Sequence, residues 1–529
     1  MKKLFAGIDS STQSTKLLVI DLDHQETVFL DSVNYDRDLP HYRTQNGVAK
    51  GLGEGVSESD PRMWLEALEI LFQRLKDTDI EMSAIRAISV SGQQHGLVTL
   101  DESGELTRDR SKLWNDFSTE EECQLMTEAV GGVDEMIKEV GNSQRTGYTA
   151  AKIFHMARHE PKAFEKTSTC FLVHNYINWY LTGGVNGGVR VMEPGDTSGM
   201  ALWNPKTREW SERLLNAIHP TLKSKLPPIK PSDQSIGVIG NHWVEEYGFS
   251  SDCLIDAGCG DNMYGAIGTG NVEPGLVTVS LGTSGTAFTV LDEAYIDPDG
   301  EIAAFCDSTG RHFPLLCVSN LANGYNAVLD QYDIDHNEFI NSVDAVPAGN
   351  AGRLLIPWYM GERTPDVPLA SPVYFGFNLG DFGRENLCRA VLEGHIQNLY
   401  DGFRKMPVQA QEIRVTGGLA QSRAWIQTIA DIFETTAVPV RGEGAAMGAA
   451  LHAAWVYLKE KETALSLSEL VGPFIDLEQE KQCNPIPKNV EIYRLQKALY
   501  RALNERVRGI QTAEDPFTLR AEIIDMTRS

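Results

Sequence analysis

An aspartate stands between two glycines and an asparagine in GCGDN (258–262), directly after the apolar run CLIDA. Asp261 could simply cap a helix opening at MYGAIG, since aspartate satisfies the free N–H groups of a helix start. A chemical role needs more: a substrate, a phosphate site and a cation. Two hairpins offer the phosphate site. LFAGI, DSSTQST and KLLVID read as strand, small polar turn and strand, and VTVSL, GTSGT and AFTVL repeat that theme in the second half of the chain. Each turn alone is explained by the local preferences of Ser, Thr and Gly. Two copies, one opening each half, would present two sets of backbone N–H and hydroxyl donors to one polyphosphate. The copies differ where it matters, because Asp9 follows the first strand and Gly282 the second. A carboxylate there can hold a cation, and a glycine lets backbone approach phosphate without adding negative charge.

A third glycine-rich point is TGGLAQS (416–422), between the strand 413–416 and a helix expected to bury Trp425, Ile426, Ile429 and Phe433. Gly417 and Gly418 make either a tight turn or a bare surface against which a nucleotide packs. The common nucleotide signatures are missing: the chain has no GxxxxGK[ST] run, and Met263 occupies the last glycine position that GxGxxG would need. HMARH sets His155 and His159 one helical turn apart without the glutamate of HExxH, which reads as an ordinary helix pair rather than a metal site.

These residues need a scaffold. ETVFLDSV is a third strand after the first hairpin, DPRMWLEALEILFQRLKD is a helix with Trp64, Leu68, Leu71, Phe72 and Leu75 on one face, and AIRAISVSG is a further strand. Strands followed by alternating strand and helix indicate an α/β architecture. A chain of 529 residues exceeds one hydrophobic core, and the turn-rich GTGNVEPG (268–275) marks a boundary, giving domains 1–270 and 271–529. The VPV strand and the helix GAAMGAALHAAW are expected to complete an α/β unit, and EIYRLQKALYRALNERV a helix with an exposed charged face.

A formal charge of −26 argues against nonspecific binding to nucleic acid or to an anionic membrane surface. The N-terminus is too short in apolar residues for a signal peptide and no apolar run spans a bilayer, so a cytoplasmic protein is expected. The eight cysteines contain no CxxC pair and read as reduced thiols.

GIDSSTQSTK, SGQQHG (91–96), LWND (113–116), GDN (260–262), SLGTSGT (280–286) and TGGLAQS occur in the order of the FGGY family of carbohydrate kinases, and the chain resembles that family from about residue 4 to 460. SGQQHG with LWND and GDN resembles its xylulose-phosphorylating branch, and the insertion 34–48 resembles the longer, eukaryotic-like members. The resemblance implies two actin-like ATPase domains, each ribonuclease H-like, with a cleft where sugar and ATP meet. It implies phosphoryl transfer from ATP to the primary hydroxyl of D-xylulose, with Mg2+ as the ion. Asp261 then matches the catalytic base, and Gln94, His95, Asp261 and Asn262 match positions that hold the ketose. Asp9 matches the carboxylate near the magnesium, Thr12, Gln13 and Ser14 the first phosphate loop, and Gly282, Thr283 and Ser284 the second. Gly417, Gly418 and Gln421 match the segment that meets adenosine. Trp114 would cover an apolar sugar face or sit in the core. Asp116 would bind a sugar hydroxyl or cap the helix beginning FSTEEEC. A helix N-terminus at Asp261 would favour its ionised form. The partners expected are the sugar and ATP, with no nucleic acid or membrane, and a homodimer as an assembly that the residues leave open. Rival readings are an FGGY kinase for ribulose, glycerol or gluconate, and an actin-like ATPase without sugar transfer.

Overall fold

The computed structural model describes residues 3–442, 444–462 and 465–528. They form two compact units: Met1–Val272 with Val290–Phe313 and Gly442–Ile475, and Glu273–Thr289 with Pro314–Arg441 and Asp476–Ser529. The first boundary, Val272/Glu273, falls inside GTGNVEPG. The second half of the chain is not a unit by itself, however, because 290–313 and 442–475 return to the first.

In unit 1 the strand Leu4–Ser10 is buried along its whole length. It pairs antiparallel with Ser14–Asp21 and parallel with Ile85–Gly92. The sheet runs Ser235–Val238, Leu254–Asp256, Ile85–Gly92, Leu4–Ser10, Ser14–Asp21, Glu26–Asn34, and the short Cys259–Gly260 segment also pairs with Ile85–Gly92. Side chains alternate between faces. Ala6 and Ile8 pack with Trp64, Leu68 and Leu71 of the helix Arg62–Lys76. On the opposite face lies the helix Gly444–Lys461, whose Tyr457 ring meets Phe5 at 5.5 Å.

That second packing explains the return of 442–475. A Cβ on Gly7 would lie 2.1 Å from the Ala446 carbonyl oxygen, one on Gly268 1.8 Å from that of Gly444, and one on Gly448 1.8 Å from that of Tyr264. The small residues of GAAMGAALHAAW do permit close packing, as their composition suggests. Their partners are the first strand and the helix Asp261–Gly268 of unit 1, not the strand that precedes them.

Unit 2 repeats the plan. Gly285–Phe288 pairs antiparallel with Leu276–Leu281, which runs parallel to Glu412–Thr416, which in turn runs parallel to Thr436–Arg441. Trp425, Ile426, Ile429 and Phe433 are buried on the helix Arg423–Phe433, as their spacing predicts. The helix Pro487–Val507 buries Ile492, Leu499 and Tyr500 against Leu354, Ile356 and Trp358. No described helix is long and apolar enough to cross a membrane.

Gly7→Ala is expected to destabilise unit 1 by about 1–3 kcal/mol or more, because the clash is with backbone rather than with a movable side chain. A lower denaturation midpoint by circular dichroism checks this; an unchanged midpoint would show that the helix can retreat freely.

Candidate active site

The strand Ile85–Gly92 delivers the chain to the SGQQHG loop, and Cys259–Gly260, paired with Ser91 and Gly92, delivers it to Asp261. Both meet beside the end of Leu4–Ser10, where Asp9 lies opposite Ser91 in parallel register. Three sequence motifs far apart in the chain thus reach one edge of one sheet. Such an edge, at the carboxyl ends of parallel strands, is where α/β sheets bind ligands.

Asp261 opens the helix Asp261–Gly268, with Gly260 as the cap residue. It is not the cap, so its carboxylate is available. Oδ1 accepts hydrogen bonds from the Asn262 backbone N–H (2.8 Å) and side-chain amide (3.2 Å). The carboxyl is pushed up from the usual carboxylate range to about 8, first by burial, then by Asp9 and Asp196. The expectation that the helix terminus keeps it ionised is therefore overturned for the protein alone: enclosure and two neighbouring carboxylates outweigh the helix dipole.

Residues of SGQQHG and GDN form one hydrogen-bonded chain. Asn262 Nδ2 donates to Gln94 Oε1 at 2.8 Å, and Gln94 Nε2 donates to Asp196 Oδ1 at 3.3 Å. Asp196 also accepts the backbone N–H of His95 at 3.2 Å and lies 3.4 Å from its Nδ1. His95 has a positive φ of 65°, unusual for a residue with a side chain, and its carbonyl is pinned by Lys152 Nζ (2.7 Å) and Thr149 Oγ1 (3.1 Å). Tyr148 and Phe305 face its ring at centroid distances of 4.9 and 5.8 Å. Lys152 is wholly buried, and burial pulls its ammonium down to about 7. Gln94, His95 and Asn262 are brought together.

Asp196 was not singled out from the sequence. It belongs to the short helix Pro194–Ser198, capped by Glu193, and is fully buried. In MEPGDTSG it looks like a turn aspartate; only its buried placement against the sugar loop separates it from many such residues.

The LWND residues divide. Trp114 is 44% exposed, which removes the core reading, and its indole N–H donates to Thr12 Oγ1 at 2.9 Å. It thereby ties the sugar motif to the first hairpin turn. Asp116 is completely buried and accepts from Ser57 N (2.9 Å), Ser118 N (3.1 Å), Ser118 Oγ (2.6 Å) and Lys112 Nζ (3.2 Å). Its carboxylate organises the loop. It does not cap the helix Glu120–Ala129, whose cap residue is Thr119, and its engaged oxygens give no support to the sugar contact.

In the first hairpin Asp9 is buried, accepting from Ser11 Oγ at 2.8 Å and Ser91 Oγ at 2.9 Å. Thr12 donates to Gln93 Oε1 at 3.3 Å, Gln13 is exposed and Ser14 is half-buried. Lys16 stands opposite Asp9 in the antiparallel register. Among the described residues Asp9 belongs to no group of three acidic, histidine or cysteine ligands able to share one ion. An oriented carboxylate of this kind fits a hard cation completed by phosphate oxygens and water.

In unit 2 the turn Gly282–Thr283–Ser284 is held by Gly282 N–H to Ser284 O at 3.2 Å, leaving Thr283 and Ser284 exposed. Gly417 lies at the end of the neighbouring parallel strand, where Ser280 faces Thr416. Its φ is 91° and a Cβ would lie 2.5 Å from Leu281 O, so the tight-turn requirement is real. Gly418 has open space where a Cβ would be. The exposed Gln421 donates to Glu478 at 3.3 Å and accepts from Lys481.

With this geometry in place, comparison decides the family. Residues 4–268 match the N-terminal domain and residues 277–457 the C-terminal domain of the FGGY family of carbohydrate kinases. The chain belongs to that family. Xylulose kinase of Haemophilus influenzae is 32% identical over 502 residues, covering 93% of this chain and 97% of the relative. Among solved structures, ligand-bound xylulose kinase from Lactobacillus acidophilus superposes with a TM-score of 0.82 at 24% identity, covering 96% of this chain and 98% of its own. Gluconate kinase from the same organism gives 0.83 at 24%, with the same coverage. The kinase fold is therefore shared across different sugars, and the fold alone does not choose among them.

Two outcomes follow for this member of the family. Asp261 has a folded pKa above its unfolded value of about 3.9, so the stability contributed by its protonated form is lost as pH rises from about 4 through about 8. Asp261→Asn should therefore melt higher than the parent at pH 9, with the difference vanishing below pH 4; equal melting temperatures across that range would contradict the raised pKa. Asp196→Asn should lower kcat/KM for the sugar by about 10–100-fold through misplacement of Gln94 and His95. Its KM for nucleotide should stay unchanged, and equal losses for both substrates would point to general damage instead.

Proposed function

We propose that the protein transfers the γ-phosphoryl group of ATP to the primary hydroxyl of D-xylulose, giving D-xylulose 5-phosphate. The observation that carries the reading is the continuous hydrogen-bonded path from Asp261 through Asn262 and Gln94 to Asp196, built on the motif residues of the xylulose-phosphorylating branch. The H. influenzae relative named xylulose kinase matches nearly end to end, which supports the same sugar.

Phosphoryl transfer has a loose transition state, so the protein mainly positions the reactants and stabilises spread-out charge. Asp261 would hold the attacking hydroxyl and take its proton. Gln94, His95 and Asn262 offer amide and imidazole groups that give and receive hydrogen bonds, as a polyol requires. Thr12 and Ser14 in unit 1, and the exposed Thr283 and Ser284 in unit 2, would serve phosphate oxygens. The turn at Gly417 and Gly418, with Gln421, would meet the adenosine. Mg2+ near Asp9, when bound, would offset phosphate charge and the part of the upward pKa shift of Asp261 that Asp9 contributes.

A specific observation favours a neutral sugar over gluconate. Two lysines beside the loop are engaged within the protein: Lys152 by the carbonyls of His95 and Gly147, and Lys112 by Asp116 and Ser118. A sugar carboxylate would have to displace one of them.

The test is ADP formation with Mg2+ and ATP across D-xylulose, D-ribulose, L-ribulose, glycerol and gluconate, with Asp261→Ala alongside. D-xylulose should be preferred, and the variant should lose at least about 100-fold in kcat, the lower range for a general base, while still binding nucleotide. Preference for another sugar would reassign the substrate; sugar-independent ADP release unaffected by the variant would leave an ATPase.

A further inference from the structure

The helix pair His155 and His159 gains in the fold what it lacks in sequence. Glu122, from the helix Glu120–Ala129, is 1% exposed and lies against both imidazoles of the helix Thr149–His159. Its Oε1 is 3.1 Å from His159 Nε2 and its Oε2 is 3.5 Å from His155 Nδ1. All three ligand atoms lie within 4.8 Å of one another. Metal–ligand bonds of about 2.0–2.1 Å in a tetrahedron give ligand–ligand edges of about 3.3 Å, close to the 3.5 Å between Glu122 Oε2 and His155 Nδ1. The His155 Nδ1 atom is buried and makes no hydrogen bond. The two rings face each other with centroids 4.4 Å apart.

We propose that Glu122, His155 and His159 form a site for a borderline divalent transition metal such as Zn2+, separate from the Mg2+–nucleotide chemistry at Asp9. Two imidazoles and one carboxylate select such an ion over Mg2+, which prefers oxygen. Water would take the fourth position on the side where His159, 47% exposed, opens to solvent. Arg158 donates from Nη1 to Glu122 Oε1 at 2.6 Å and from Nη2 to Glu121 at 2.8 Å. It would remain as an outer partner fixing the carboxylate, while Oε2 and the two imidazoles ligate. Metal ligands in proteins are commonly oriented by such a second contact. The same cluster without a metal is an ion-pair network, and that is the competing account.

The full-length protein, in excess Mg2+, is titrated with Co2+ as a spectroscopic probe and then with Zn2+. One equivalent of Co2+ should give the absorption of a tetrahedral nitrogen–oxygen site, Zn2+ should displace it, and Zn2+ should raise the melting temperature. His159→Ala, at an exposed position, should keep the metal-free melting temperature and weaken Co2+ binding by more than the roughly 10–100-fold that loss of an outer partner costs. His155→Ala should weaken it similarly, so that a folding defect in one variant leaves the other decisive. Asp261→Asn should bind Co2+ as the parent does. Octahedral Co2+ only, a sulfur-to-cobalt charge-transfer band, or undiminished binding in both histidine variants would overturn the proposal.

Discussion

The candidate site depends on one enclosed carboxyl, that of Asp261, near which Asp9 and Asp196 add negative charge. Burial and the other two charges lift Asp261 to about 8, so the fold holds a carboxyl that resists ionisation in the protein alone. Such a group persists only where the surrounding structure keeps it from moving away. Asp9 is fixed by hydroxyls of Ser11 and Ser91, and Asp196 by the loop it organises. Asp261 is fixed by the helix it begins.

That helix is in turn held by backbone contact. Gly268 and Gly448 let the helices Asp261–Gly268 and Gly444–Lys461 approach until any larger residue would strike a carbonyl. Behind them a buried polar network continues: Tyr264 and Ser89 share a hydrogen bond of 2.7 Å, and His452 pairs with Asp256 at 2.8 Å. Buried polar groups of this kind are costly unless paired, so their pairing fixes one arrangement of these elements. The position of the Asp261 carboxyl is a consequence of packing as much as of its own contacts.

The sugar loop follows the same logic with neutral groups. Lys152, Thr149 and Asp196 use the backbone of His95 and the amide of Gln94, which leaves Gln94 and Asn262 facing one another in defined orientations. Side chains positioned by second contacts discriminate hydroxyls better than free ones, because a missing hydroxyl leaves them unpaired.

Much of this was legible in the chain. The duplicated strand–turn–strand theme, the helix buried through Trp64 and Leu68 and the helix buried through Trp425 all depend on short-range patterns that local periodicity records, whereas the meeting of Gln94 with Asn262, 168 residues apart, was legible only through the family resemblance. Three things were not. The return of Gly444–Lys461 to unit 1 depends on glycine-to-carbonyl fits between segments hundreds of residues apart. The alternatives left open for Trp114 and Asp116 were settled as exposed and buried, because burial and exposure in a loop are decided by what folds over it. The contacts of Asp196 and Glu122, and the raised pKa of Asp261, depend on burial and on long-range placement of charge. Local sequence determined which elements form and which residues could act. Only the tertiary structure decided which carboxylates are forced together, because electrostatics and burial act through space rather than along the chain.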